Sequence, residues 1–144
     1  MNIKRLLLTI IFTVTPMLVK AKEVTIEVLN IDVVRQGNII VMIFAKEGFP
    51  KQHQQALMSQ TQLVTDKTQL FTFNIKEKEF AIKVLHDENQ DGKVTKNWTG
   101  IYPKEGLGFS NKQKVGFTGP PVYKKSKMSL HQAPSNISIS IIYP

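Results

Sequence analysis

No cysteine occurs among the 144 residues. That absence excludes thiol catalysis, thiolate metal ligands and disulfide cross-links, so the fold must rest on apolar burial, with or without a bound ion. It also removes the lipid-modified cysteine that tethers some exported chains. Acidic residues are scarce, 11 against 19 Lys and Arg, for a formal charge of +8. The excess is moderate and spread along the chain, which excludes a nucleic-acid reading and suits anionic envelope polymers or lipid head groups. Helical patterning is scarce too: only residues 51–60, KQHQQALMSQ, have helical composition, and one or two turns are expected there.

Nor is there an apolar run of the ~20 residues needed to cross a bilayer. The longest, Leu6 to Val19, is 14 residues, is interrupted by Pro16 and follows the basic start Met1–Arg5. With Val19-Lys20-Ala21 behind it, this is the layout of a secretory signal peptide cleaved after Ala21. The expectation is therefore an exported protein, periplasmic or secreted, whose mature chain 22–144 is one domain without a transmembrane segment. Cleavage removes three of the 19 cations and none of the 11 acids, lowering the charge from +8 to +5.

What the chain does contain is β patterning. Val24, Ile26 and Val28 alternate with Thr25 and Glu27, as do Phe71, Phe73 and Ile75, then Phe80, Ile82, Val84 and His86, and finally Ile137, Ile139 and Ile141. The unbroken run Ile39–Ala45 suits a central strand covered on both faces. Leu63-Val64 opens a further short strand, and the basic segment Val122–Leu130 is placed to pair with the last strand. About seven strands predict an all-β antiparallel sandwich. Residues 87–121 break the rhythm: they hold six of the eight glycines together with Trp98, Tyr102, Phe109 and Phe117. A segment that long, and that aromatic, is expected to be an ordered loop folded onto the sandwich.

The stretch HDENQDGK, residues 86–93, then TGIYPKEGLGFSN and GFTGPPVY resemble the bacterial family of exported proteins known as domain of unknown function 2141. Glu47–Pro50, EGFP, and the early strands fit as well. The resemblance implies an exported β-sandwich of transthyretin-like or immunoglobulin-like type and no established activity. Three departures stand out: Lys78-Glu79-Phe80 replaces the usual Gly-x-Tyr, Thr95 stands where many members have an acid, and the link from Gly100 to Pro103 is one residue longer.

Asp87, Asn89 and Asp91 before Gly92 follow the start of a calcium loop, with Lys93 offering a carbonyl and Thr95 a hydroxyl. The twelfth place, where that loop needs a bidentate Glu, holds Trp98; Glu105 is the available substitute. The competing reading is a plain turn in which Asp and Asn side chains bond nearby amides, and it is preferred here, with Ca2+ as the alternative. A ligand site on the loop would draw on His86, Trp98, Tyr102, Glu105, Phe109, Ser110 and Asn111. For catalysis, Asp87 or Asp91 with Glu105 forms a candidate hydrolase pair, and Ser110 a candidate nucleophile. Ser110 has no G-x-S-x-G elbow, and His86 and Asp87, adjacent on a strand, point to opposite faces. His86 is better read as a packed core residue, and His53 and His131 stand alone. Binding of an envelope component, a polysaccharide or a protein is favoured over catalysis, and enzyme activity stays open.

Overall fold

A computed structural model describes residues 20–144. The proposed signal peptide lies almost entirely outside them. No helix among the described residues is long and apolar enough to cross a membrane. Among the described residues eight strands form two facing sheets: β1 (Lys22–Leu29), β2 (Asn38–Phe44), β3 (Met58–Leu63), β4 (Gln69–Ile75), β5 (Glu79–Asp87), β6 (Leu107–Phe109), β7 (Met128–Ser129) and β8 (Asn136–Ser140). One sheet runs β4-β1-β8; the other runs β3-β2-β5-β6, with β7 pairing with β5. The all-β sandwich is as the alternating pattern predicts.

Alternation decides which face is buried. Val24, Ile26 and Val28 of β1 face Ile39, Val41 and Ile43 of β2 and Phe80, Ile82 and Val84 of β5 across one core, closed by Phe71, Phe73, Ile75, Ile137, Ile139 and Ile141. On the outer side of β2 and β5 lies a second apolar layer of Ile40, Met42, Phe44, Leu85, Leu107 and Phe109, capped by Phe49, Ala56, Val94 and Val115. The uninterrupted apolar run of β2 is thus explained by cover on both faces, as expected for such a strand.

Several local expectations are corrected. β8 pairs with β1 in parallel, Ile26 opposite Ile137 and Val28 opposite Ile139, while the other ladders among the described residues are antiparallel. Segment 122–130 does not pair with β8: it forms a single helical turn, α1 (Tyr123–Ser126), and then β7 against β5. Within 51–60 only His53–Gln55 is helical, as a 3-10 turn, because Met58–Leu63 already pairs with β2. Leu63 therefore ends a strand and does not begin one.

The excursion 87–121 is ordered and is divided by β6. Two of its glycines, Gly106 and Gly108, have a steric cause. β6 lies against the chain after β8, with Leu107 and Ile142 exchanging backbone hydrogen bonds of 3.0 and 2.9 Å. A Cβ on Gly108 would sit 2.7 Å from Ile139 Cγ2 and 3.0 Å from the Ser140 carbonyl, and one on Gly106 would strike Ile141 and the Tyr143 ring. On the opposite edge, glutamine side chains join the sheets: Gln60 and Gln62 of β3 donate to the Thr72 and Leu70 carbonyls of β4 at 2.6 and 3.0 Å. Gly106→Ala should lower stability by about 1–3 kcal/mol through overpacking. Gly116→Ala, with open space around the added methyl, should change it by less than about 0.5 kcal/mol. Urea midpoints of the two variants check this, and equal midpoints would refute the close-approach account.

Candidate functional site

The turn after β5 is built from carboxylates that accept backbone N–H groups. Asp87, 1% exposed, takes hydrogen bonds from Asp91 N at 3.2 Å and Gly92 N at 2.8 Å. Asp91 accepts from Lys93 N at 2.8 Å. Glu105, 3% exposed, reaches back to accept from Glu88 N at 3.0 Å and Thr95 N at 2.8 Å, tying both ends of the turn to the start of β6. Burial pushes the Glu105 carboxyl above its usual range, the nearby Asp87 and Asp91 charges add to this, and the two amide hydrogen bonds oppose it.

The residues proposed for calcium are thus brought together, Glu105 included. The Asn89 amide nitrogen bridges two of them, donating to Asp91 at 3.0 Å and to Thr95 Oγ1 at 3.3 Å. An N–H2 group placed there does for those oxygens what a cation would do. Among the described residues no set of three or more His, Asp or Glu side chains is arranged to hold a metal ion. The donor set as it stands is that of a hydrogen-bonded Asx turn.

Beside this turn, over the outer face of the second sheet, opens a cleft of about 850 Å³. Two short excursions wall it. One is pinched by the bridge Lys96–Pro103 and carries Trp98 at its tip; the other is pinched by Gly116–Gly119 and carries Phe117. Ile101, Tyr102, Phe109 and Val115 supply apolar wall. Trp98 is 96% and Phe117 100% exposed, so neither tip contributes to the core.

The floor holds a group that sequence reading passed over. Lys83 of β5, 3% exposed, donates from Nζ to the Pro50 carbonyl at 2.8 Å and contacts His53 Nε2 at 2.7 Å. The other ring nitrogen, Nδ1, is 2.9 Å from the Gly92 carbonyl. A carbonyl can only accept, so Nδ1 carries the proton and Nε2 accepts from the ammonium. Burial lowers the Lys83 pKa to about 8. The His53 imidazole is also held below its ordinary value, first by burial and then by the Lys83 charge, against the pull of the Gly92 hydrogen bond and Asp87. His53 therefore does not stand alone: the 3-10 turn carries it onto Lys83 and the Asp91-Gly92 turn. The available signal was Lys83 itself, a cation inside the run Phe80–Leu85 whose neighbours are all apolar.

The other proposed residues divide cleanly. Tyr102 and Phe109 line the cleft, with Asp91 and Lys93 on its rim. His86 lies beneath, fully buried, bonded to Tyr143 Oη at 2.7 Å and to the Gln36 carbonyl, as a packed core histidine would be. Ser110 accepts from Ile82 N at 2.9 Å and donates to the Ser126 carbonyl at 2.6 Å, so its hydroxyl is a structural bolt. Asn111 donates to the Lys125 and Lys127 carbonyls at 3.2 and 2.8 Å, anchoring α1.

Two outcomes follow. Asp87→Ala removes two charge-assisted hydrogen bonds to the turn amides and should cost about 1–3 kcal/mol in denaturant unfolding, while millimolar calcium leaves the melting temperature of the intact protein unchanged. A calcium-dependent rise in melting temperature would overturn the turn assignment. Lys83 loses proton affinity on folding, so from about 8 up to its ordinary 10.5 the unfolded chain binds more protons than the native one. Stability should accordingly rise with pH across that window, by up to about 3 kcal/mol, and this increment should be missing in Lys83→Met. Urea titrations at several pH values, compared between the two proteins, measure it.

A family model described as an uncharacterized protein conserved in bacteria, DUF2141, matches residues 26–138. No curated protein and no solved structure matches the chain.

Proposed function

The chain belongs to the DUF2141 family, and from that premise we propose that it is an exported, non-catalytic binding module that holds an envelope polysaccharide in the cleft beside the Asp87–Asp91 turn. The observation that carries this reading is a roomy, apolar-walled cleft lined by the fully exposed ring of Phe117, with Trp98, itself outside the lining, exposed on the hairpin that forms one wall. Phe117, Ile101 and Tyr102 are exposed together at the cleft, an apolar surface of the kind that marks a binding site, and a pyranose ring offers a flat apolar face to stack on it. A wide cleft open at the surface admits a chain-like ligand as well as a small one.

The rival reading, a hydrolase using Asp87 or Asp91 with Glu105, fares worse on geometry. Each of those carboxylates is engaged by backbone amides, the Ser110 hydroxyl is locked between β5 and α1, and His86 is sequestered beneath the sheet. A general base must reach a substrate proton, and of these groups only Asp91, exposed on the cleft rim, has that access; Asp87, Glu105, Ser110 and His86 are buried. Export by the signal peptide at residues 1–21 supplies the compartment in which such a polymer would be met.

Native gels cast with polysaccharide from a bacterial envelope should retard the mature protein. Replacing both Trp98 and Phe117 with Ala should weaken retention by about 10-fold to 100-fold, on the order of 1.4 kcal/mol per ring, with the melting temperature unaltered. Mobility identical with and without polymer would sink the proposal.

A further inference from the structure

Resting on the reading of the cleft as a glycan site, we propose that the floor pair Lys83–His53 recognises a carboxylate, so that the ligand is an acidic, uronate-bearing polysaccharide and not a neutral one. The argument begins with a buried charge. Lys83 is 3% exposed, yet none of the ion pairs among the described residues involves it; its two partners are a neutral carbonyl and a neutral imidazole. A buried ammonium without a counter-charge is costly, and a strand position between Ile82 and Val84 would be cheaper to fill with an apolar side chain. The burden is explicable if the missing anion arrives with the ligand.

Geometry agrees. An ammonium has three donors, and the Pro50 carbonyl and His53 Nε2 use two. Lys83 also lines the cleft, so the third donor is left for what enters it. One spare donor on one positive charge suits a monoanion such as a carboxylate. His53, with both ring nitrogens engaged, does not touch the ligand in this scheme; it positions the ammonium and is itself held by Gly92 of the turn. The field around the mouth has the same sign: Lys51, Lys93 and Lys96 line the cleft with Lys83, against the single carboxylate of Asp91. Such a distribution draws in a polyanion before any close contact forms.

Isothermal titration of the mature protein with galacturonate trimer and with its neutral counterpart, galactose trimer, tests the inference. The acidic trimer should bind at least 10-fold more tightly, and Lys83→Met should abolish that preference. His53→Ala should reduce it while a folded far-ultraviolet spectrum is retained. Should Lys83→Met fail to fold, the wild-type protein still decides: the Lys83 Cε resonance should shift with the acidic trimer and stay in place with the neutral one. Equal affinity for the two trimers, or an unmoved Lys83 resonance on saturation with uronate, overturns the carboxylate site and leaves the glycan cleft standing. Binding of neither trimer overturns the site and the cleft reading together.

Discussion

A sheet buried on both faces needs two apolar layers, and in a chain of this size the second layer has to come from a connection. Here it comes from the excursion between β5 and β7, whose Phe109 and Val115 cap Met42, Phe44 and Leu85, joined by Phe49 from the β2–β3 link. The arrangement turns a long connection into a structural layer, and the cleft is the space that this layer leaves open above the sheet. Removing the excursion would uncover one face of β2 and β5, so fold and site depend on the same contacts.

The excursion is in turn held by charge-assisted hydrogen bonds. Asp87 and Glu105 are buried carboxylates, and each accepts two backbone N–H groups of the turn they enclose. Bonds of that type are about twice as strong as neutral ones, and two of them per side chain offset much of the cost of burying the charge. The same bonds fix both carboxylates in place against the turn.

Much of the framework could be read from residue order. Alternation at Val24–Val28, Phe71–Ile75 and Ile137–Ile141 marks strands, and the solid apolar run of β2 marks cover on both sides. Three features could not be read that way. The parallel pairing of β8 with β1 depends on where the chain travels after β7, which local periodicity does not encode. The 3-residue strand β6 hides among glycines because it is selected for close approach to Ile139 and Ile141 and not for β propensity. The Lys83–His53 pair joins residues 30 positions apart, so neither looks unusual to a motif search, though a lysine within an apolar strand is a local anomaly. The Asp87–Asp91 turn was legible because its bonds span only a few residues; the part played by Glu105 needed the fold.

The glutamines of β3 have a consequence for life at high concentration. Free carbonyls along a sheet border invite a strand from a neighbouring molecule, the first step toward fibrils. Gln60 and Gln62 occupy the Thr72 and Leu70 oxygens from within the same chain, so that border presents a self-sealed seam. A protein lacking cross-links, and so free to loosen transiently, stays monodisperse more readily when its seams are stitched by its own amide side chains.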